Sequence, residues 1–187
     1  MYRVNEIFYS LQGEGAHTGT PAVFVRFSGC NKACPFCDTD FHEFTPLSAQ
    51  EIIDEVERYP AEIVILTGGE PAMQVDEALI KLFHAHGYKV HIETNGSLPL
   101  PSDIDWVTCS PKDGVPSIQP EFVDEVKIVF TGQSAQTLNK YKAHFPHTHL
   151  FYLQPCSGLN IDDTVTRVLS MPGWRLSLQT HKLIDIK

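Results

Sequence analysis

Short apolar runs recur along this chain, and each ends in a cluster of polar or unusual residues. Residues 22–28 run into Cys30, residues 62–66 into Thr67 to Pro71, and residues 88–93 into Glu93 to Gly96. Residues 105–109 run into Ser110 to Lys112, residues 149–153 into Gln154 to Ser157, and residues 174–180 end at Gln179 and His181. Runs this short, bounded by Gly and Pro, read as buried strands. Amphipathic stretches lie between several of them, so the class is α/β with a parallel sheet. In such architectures ligands bind beyond the strand C-termini. The polar clusters should therefore meet at one site although they are far apart in sequence.

The densest cluster is Cys30-Asn-Lys-Ala-Cys34-Pro-Phe-Cys37, a C-x3-C-x2-C pattern. Thiolates are soft ligands that select zinc, copper(I) or iron–sulfur clusters. Three are one short of a closed zinc site and one short of an ordinary four-cysteine cluster. A cubane cluster with one iron left for another ligand needs three. Spacing alone also allows zinc, with His42 as the fourth ligand. Cys109 and Cys156 stand outside the triplet and read as packed, unreactive thiols.

In chain order, residues 2–11 read as an edge strand, and Gln12 to Ala16 as a flexible turn. In residues 22–28, Val23, Val25 and Phe27 share one face, and Phe24, Arg26 and Ser28 the other. Arg26 in so apolar a strand requires an anion, either a ligand or a nearby Glu. Ser48 opens a helix with Glu51 at the capping-box position, and Pro60 ends it. Further helices are expected over 74–86, from Ser134 to Phe145, and over 161–171. Gly87 is placed to cap the first of these. Residues 124–130 form another strand, while 94–104 and 110–123 read as loops. A full eight-fold barrel needs ~250 residues. This chain has 187, so an open, partial TIM-type barrel with about six parallel strands and few helices is expected. A flat doubly wound sheet is the alternative, but its G-x-G-x-x-G fingerprint is absent.

Charge and cysteine usage narrow the function. Acidic residues outnumber basic ones 23 to 14, for a formal net charge of -9. That opposes a nucleic-acid or anionic-membrane surface, but allows a small anion held by a few placed cations. There is no apolar run long enough to span a bilayer and no export signal. Five cysteines without such a signal fit a reduced, cytoplasmic setting. One domain covering 1–187 is expected.

The cysteine spacing resembles that of the radical S-adenosylmethionine (SAM) superfamily. The resemblance sharpens when the other motifs are added. Ser-Leu-Gln-Gly-Glu-Gly at 10–15, Phe-Val-Arg-Phe-Ser-Gly-Cys-Asn at 24–31, Cys-Asp-Thr at 37–39 and Thr-Gly-Gly-Glu-Pro at 67–71 all look like the 7-carboxy-7-deazaguanine synthase family. So do Glu-Thr-Asn-Gly at 93–96, Ser-Pro-Lys at 110–112 and Gln-Thr-His-Lys at 179–182. The likeness covers nearly the whole chain.

That resemblance implies roles residue by residue. Cys30, Cys34 and Cys37 would hold a [4Fe–4S] cluster, and Thr39 a Mg2+ ion, unless Thr39 only caps a turn. Phe36, Cys37, Asp38, Gly69 and Glu70 would border SAM, with Gly69 at its amino group. Ser110, Pro111 and Lys112 would hold its carboxylate and ribose, and Gln154, Pro155, Cys156 and Ser157 would complete that site. Leu11, Gln12, Gly13, Glu14, Arg26, Thr67, His181 and Lys187 would line a pterin pocket. Among these Arg26, Glu14 and His181 are the candidate catalytic residues, with Arg26 on the substrate carboxylate. Leu183, Ile184 and Ile186 should pack against the body and deliver Lys187 to the pocket, whereas a disordered tail is the alternative.

The implied reaction converts 6-carboxy-5,6,7,8-tetrahydropterin to 7-carboxy-7-deazaguanine with loss of ammonia, in queuosine and 7-deazapurine biosynthesis. A deoxyadenosyl radical would take hydrogen from the carboxylate-bearing carbon, the ring would contract, and SAM would be regenerated. A flavodoxin-type electron donor and a homodimer are implied as partners. Two other readings stay open: an activase that places a glycyl radical on a partner enzyme, and a zinc-binding or electron-transfer module.

Overall fold

The computed structural model describes residues 1–37, 39–40 and 43–187. Asp38 and His42 lie outside the described residues. A single nine-stranded sheet organises the rest, in the order β3-β1-β2-β4-β5-β6-β7-β8-β9. From β2 (Pro21–Phe27) onward every pairing is parallel: β4 (Ile63–Gly68), β5 (Lys89–Thr94), β6 (Trp106–Cys109), β7 (Glu125–Phe130), β8 (Leu150–Pro155) and β9 (Arg175–Leu176). The order runs from one edge strand to the other, so the barrel is open, as expected. β1 (Tyr2–Leu11) pairs antiparallel with β2, but it is not the edge. The short β3 (Thr45–Leu47) covers its other side.

Strand alternation splits the sheet into two unlike faces. Register places Val23, Val64, Val90 and then Val25, Leu66, Ile92, Val107 side by side. Cys109, Val126 and Phe151, and then Ile128 and Leu153, form further apolar rows. All belong to the buried core cluster. The helices supply the other half of that core. They are α1 (Ala49–Val56) with Ile52, Ile53 and Val56, α2 (Glu77–Ala85) with Leu79, Ile80 and Phe83, and α3 (Ala135–His144) with Leu138 and Tyr141. Each fully buried aliphatic or aromatic side chain contributes roughly 1.5–3 kcal/mol. The opposite face carries Arg26 beside Thr67, Glu93 beside Thr108, Thr108 beside Glu125, and Val129 beside Gln154.

Helix starts follow local chemistry. Ser48 and Glu51 form the expected capping box, each side chain meeting the other's backbone N–H. Asp76 and Ser134 cap α2 and α3. A 3-10 turn at Pro71–Met73 precedes α2, so that helix starts later than its pattern suggests. The crossover after β5 has no helix, and the one after β6 has only a turn at Val115–Ser117. α4 (Ile161–Leu169) leads to β9.

The chain end departs from expectation. The run 174–180 alternates as a strand should, yet β9 is two residues long and Thr180–Leu183 form a short helix, α5. Thr180 explains the break, because its N–H and hydroxyl both donate to the Gly13 carbonyl at 2.9 Å. Leu183, Ile184 and Ile186 do not pack inward; they are 67%, 59% and 38% exposed.

Candidate active site

A cavity of about 1100 Å³ opens at the C-terminal edge of the parallel strands. Its lining draws on the end of nearly every strand. Leu11, Gln12, Gly13, Glu14, Arg26, Thr67, His181 and Lys187 face it, as do Phe36, Gly69, Ser110, Lys112, Gln154, Pro155 and Ser157. Cys30, Cys34, Cys37 and Thr39 line it too. Three expected site residues do not: Glu70, Pro111 and Cys156. Cys156 is half-buried and not packed in the core, whereas Cys109 is fully buried and burial pushes its thiol up to about 12.

The cysteine loop is tied to the glycine loop through main chain. Gly69 N–H donates to the Phe27 carbonyl at 3.0 Å, and Glu70 N–H to the Gly29 carbonyl at 2.9 Å. A Cβ on Gly69 would stand 1.9 Å from that Gly29 oxygen. The glycine therefore admits protein backbone, not only a ligand. Behind it, the fully buried Glu70 carboxylate accepts from Thr94 Oγ1 at 2.6 Å, Asn95 N–H at 2.7 Å and Ala72 N–H at 3.1 Å. Glu70 thus braces the strand ends of β4 and β5. Burial still raises its pKa, with those hydrogen bonds opposing the rise.

The three thiols share one rim and feel one another. Burial raises the pKa of Cys30, and the charges of Glu70, Cys34 and Cys37 push it further. Among the described residues no three His, Cys, Asp or Glu side chains already stand close enough to hold an ion. The sulfurs would draw in and lose their protons on binding, as metal sites commonly do. Three soft donors on a short loop beside a large cavity would suit a cluster that keeps one iron for another ligand. Thr39, on the same rim, offers the hard oxygen that Mg2+ prefers.

Arg26 does meet a carboxylate. Its Nε donates to Glu6 Oε1 at 2.9 Å, and Glu6 Oε2 takes Lys187 Nζ at 2.7 Å. The pair is not in the core: the side chains are 23% and 31% exposed, on the cavity wall. Both cations also lie over the Phe8 ring, at 5.5 and 5.3 Å. Burial works to raise the Glu6 pKa, but Lys187 and Arg26 hold it below the ordinary range. Lys187 is fixed further by Ser10 Oγ, which donates to its backbone oxygen at 2.6 Å.

The turn Gln12 to Ala16 is held by hydrogen bonds. Gln12 N–H donates to Thr20 at 2.8 Å and Gly19 N–H returns to Gln12 at 2.7 Å. At Gly13 a Cβ would fall 2.0 Å from His181 Nδ1, so only glycine lets that imidazole lie against the turn. The turn feeds a buried polar network. Lys127 Nζ meets Glu14 Oε2 at 2.5 Å and Glu93 Oε2 at 2.9 Å. Lys127, Glu93, Glu6 and Glu125 carry no role in the sequence reading. Lys127 shares the signal that marked Arg26, a cation in the middle of an apolar strand. Nearby, Glu125 accepts from Ala16 N–H at 2.7 Å, and burial pushes its carboxyl up to about 7.

Comparison with known proteins places the chain in a family. A model of the Radical SAM superfamily matches residues 24–153, which defines the class of enzyme. A 7-carboxy-7-deazaguanine synthase of Bacteroides thetaiotaomicron is 58% identical over all 187 residues, covering 100% of both chains. One of Bordetella pertussis is 42% identical, covering 99% of both. The crystal structure of QueE from Escherichia coli matches with a TM-score of 0.81 at 27% identity, covering 95% of this chain and 93% of that one. The chain belongs to the 7-carboxy-7-deazaguanine synthase family of radical SAM enzymes.

Proposed function

We propose that this chain converts 6-carboxy-5,6,7,8-tetrahydropterin to 7-carboxy-7-deazaguanine, with SAM and a [4Fe–4S] cluster as cofactors. The observation that carries the reading is the convergence of residues from many strand ends on one cavity of about 1100 Å³. A pocket for one drug-sized ligand is ~300–1000 Å³. Room for SAM and a pterin side by side is what the reaction needs.

Cys30, Cys34 and Cys37 would hold the cluster, which when bound would supply, with SAM, a carbon radical able to take a hydrogen atom. Phe36, Gly69, Ser110, Lys112, Gln154, Pro155 and Ser157 surround SAM, and Glu70 acts from behind the wall. Arg26 receives the substrate carboxylate, for which Glu6 stands as the present partner. Gln12, Glu14, Thr67 and His181 orient the pterin ring, with Leu11 and Gly13 shaping the wall. Lys187 closes the same side. Thr39 would hold Mg2+, which would neutralise the carboxylate. The protein's work is to position two small molecules and keep water from a radical.

An activase needs an entry wide enough for a protein and no internal cation for a small carboxylate. Arg26 on the cavity wall favours the small substrate. The reading also brings a flavodoxin-type electron donor, a homodimer and a cytoplasmic setting. No helix among the described residues is long and apolar enough to cross a membrane. One domain over 1–187 is supported by one sheet spanning Tyr2 to Leu176.

Anaerobic turnover of the reconstituted protein with the pterin and SAM, with and without Mg2+, is the test. Formation of 7-carboxy-7-deazaguanine and ammonia is expected, faster with Mg2+. SAM cleavage that ignores the pterin would sink the reading.

A further inference from the structure

Lys127 is only 3% exposed, yet its ammonium reaches the floor of the cavity. It stands between two carboxylates whose remaining oxygens all face donors. Glu14 Oε1 accepts from Gln154 Nε2 at 3.0 Å and from Gln179 Nε2 at 2.9 Å. Glu93 Oε1 accepts from Gln12 Nε2 at 3.0 Å. The amides are themselves locked in that sense. Ser177 Oγ donates to Gln154 Oε1 at 3.0 Å, and Glu14 N–H to Gln12 Oε1 at 3.2 Å. A proton placed on either carboxyl would meet another donor on every protein-facing side. Its only free direction would be toward the ligand.

Two carboxylates in a dry site do not ordinarily stay ionised together. Here one ammonium touches both, and that contact decides the matter. We infer that Lys127 is a positioning residue acting through Glu14 and Glu93: it keeps both ionised, so that these two carboxyls offer acceptors and no hydroxyl donor to a donor-rich ligand edge. The amino-pyrimidinone edge of a pterin is such a ligand, so the substrate part of this inference rests on the function proposed above.

The surrounding charges act on the three groups in different directions. Burial works against charge on Lys127, but Glu14 and Glu93 hold its pKa well above the ordinary lysine range. Burial also pushes on Glu14, but Lys127, Gln179 and His181 hold it low. Burial and the Glu14 charge raise Glu93, and Lys127 opposes them. Glu125 faces the same cluster from β7, and Lys112 faces it from the loop after β6. Burial pushes the Glu125 carboxyl up to about 7.

Lys127→Met and Lys127→Arg, reconstituted anaerobically with SAM, provide the test. Pterin affinity is measured by calorimetry from about pH 6 to about pH 9. Lys127→Met is expected to bind the pterin at least about tenfold more weakly near pH 7, one pKa unit's worth. It should recover that tenfold as pH rises, because deprotonation restores the acceptor. Lys127→Arg should follow the wild-type profile, and SAM affinity should hold in both. A pH-independent loss would mean that Lys127 contacts the ligand directly, and no loss would mean that it does nothing; either overturns the inference. The infrared carbonyl band of protonated carboxyls, recorded without pterin, is a second readout that needs no lysine variant. In the otherwise unaltered protein near pH 6, Glu125→Gln should remove a buried band and Glu93→Gln should not. If Glu93→Gln removes it, the inference fails even where Lys127→Met does not fold. Absence of pterin binding by the wild type would instead overturn the substrate assignment, and the infrared result would still judge Lys127.

Discussion

Glu6 holds Arg26 by Nε at 2.9 Å on the wall of the large cavity. The same carboxylate reaches Lys187 through its other oxygen, at 2.7 Å. One acid thus spans two cations beside the Phe8 ring, in a place where an incoming carboxylate would compete for both.

Arg26→Lys preserves charge but loses the planar fork. Pterin affinity is expected to fall about tenfold or more, near the 1.5–3 kcal/mol of a charge-assisted hydrogen bond. Because the Glu6 pair is partly exposed, thermal stability should change little. Calorimetric binding and thermal melts of the same preparation check this. A melting drop that tracks the affinity loss would make the pair structural.

Glu125→Gln should stabilise the protein at neutral and alkaline pH. The folded-state pKa of Glu125 is raised from 4.5 to about 7, so the folded state holds a proton that the unfolded chain has released. Stability therefore falls as pH climbs from about 4.5 to about 7 and is level above, by about 3 kcal/mol in all. The Gln oxygen can still accept from Ala16 N–H. Denaturant melts of the reconstituted protein across that window should show the variant gaining on the wild type with rising pH. Parallel curves would remove Glu125 from the pH response.

Gly69→Ala should damage cluster loading as well as SAM binding. Its Cβ would overlap the Gly29 carbonyl, forcing apart two loops joined by backbone hydrogen bonds. A cost of about 3 kcal/mol is in the range for such backbone clashes. Iron and sulfide content after reconstitution measures the effect, and full loading would show that the loops separate freely.

Cys34→Ala should lose the cluster, while Cys109→Ala should keep it. Cys109 is fully buried and its thiol is held protonated, so it serves packing. Its truncation should cost roughly 1 kcal/mol of stability. Visible absorbance and iron analysis separate the two, and a loaded Cys34→Ala would overturn the ligand assignment.

Strand positions and the meeting of polar clusters at one edge were legible because alternation and strand-end placement are local properties. Arg26 was legible for the same reason, since a charge inside an apolar strand demands a partner. Lys127 carried that signal too, but its two partners come from residues 14 and 93, and no local pattern links them to β7. The end of the chain misled because Leu176, Leu178 and the residues between them alternate like a strand. Thr180 instead finds a partner in Gly13, a contact set by tertiary closeness. At Gly68 and Gly69 a Cβ would meet the chain's own backbone at Phe27 and Gly29, a closeness that no local pattern announces.

The two-faced sheet divides labour between its surfaces. Rows of Val, Leu and Ile under the helices supply the cohesion, whereas the concave side holds ions, amides and hydroxyls that touch few of those rows. Substrate preference can therefore drift by exchange of cavity-side residues one at a time, with the apolar core left alone. Lys127 and its two acids are the exception: they must change together, so they form the part of the cavity that resists gradual alteration.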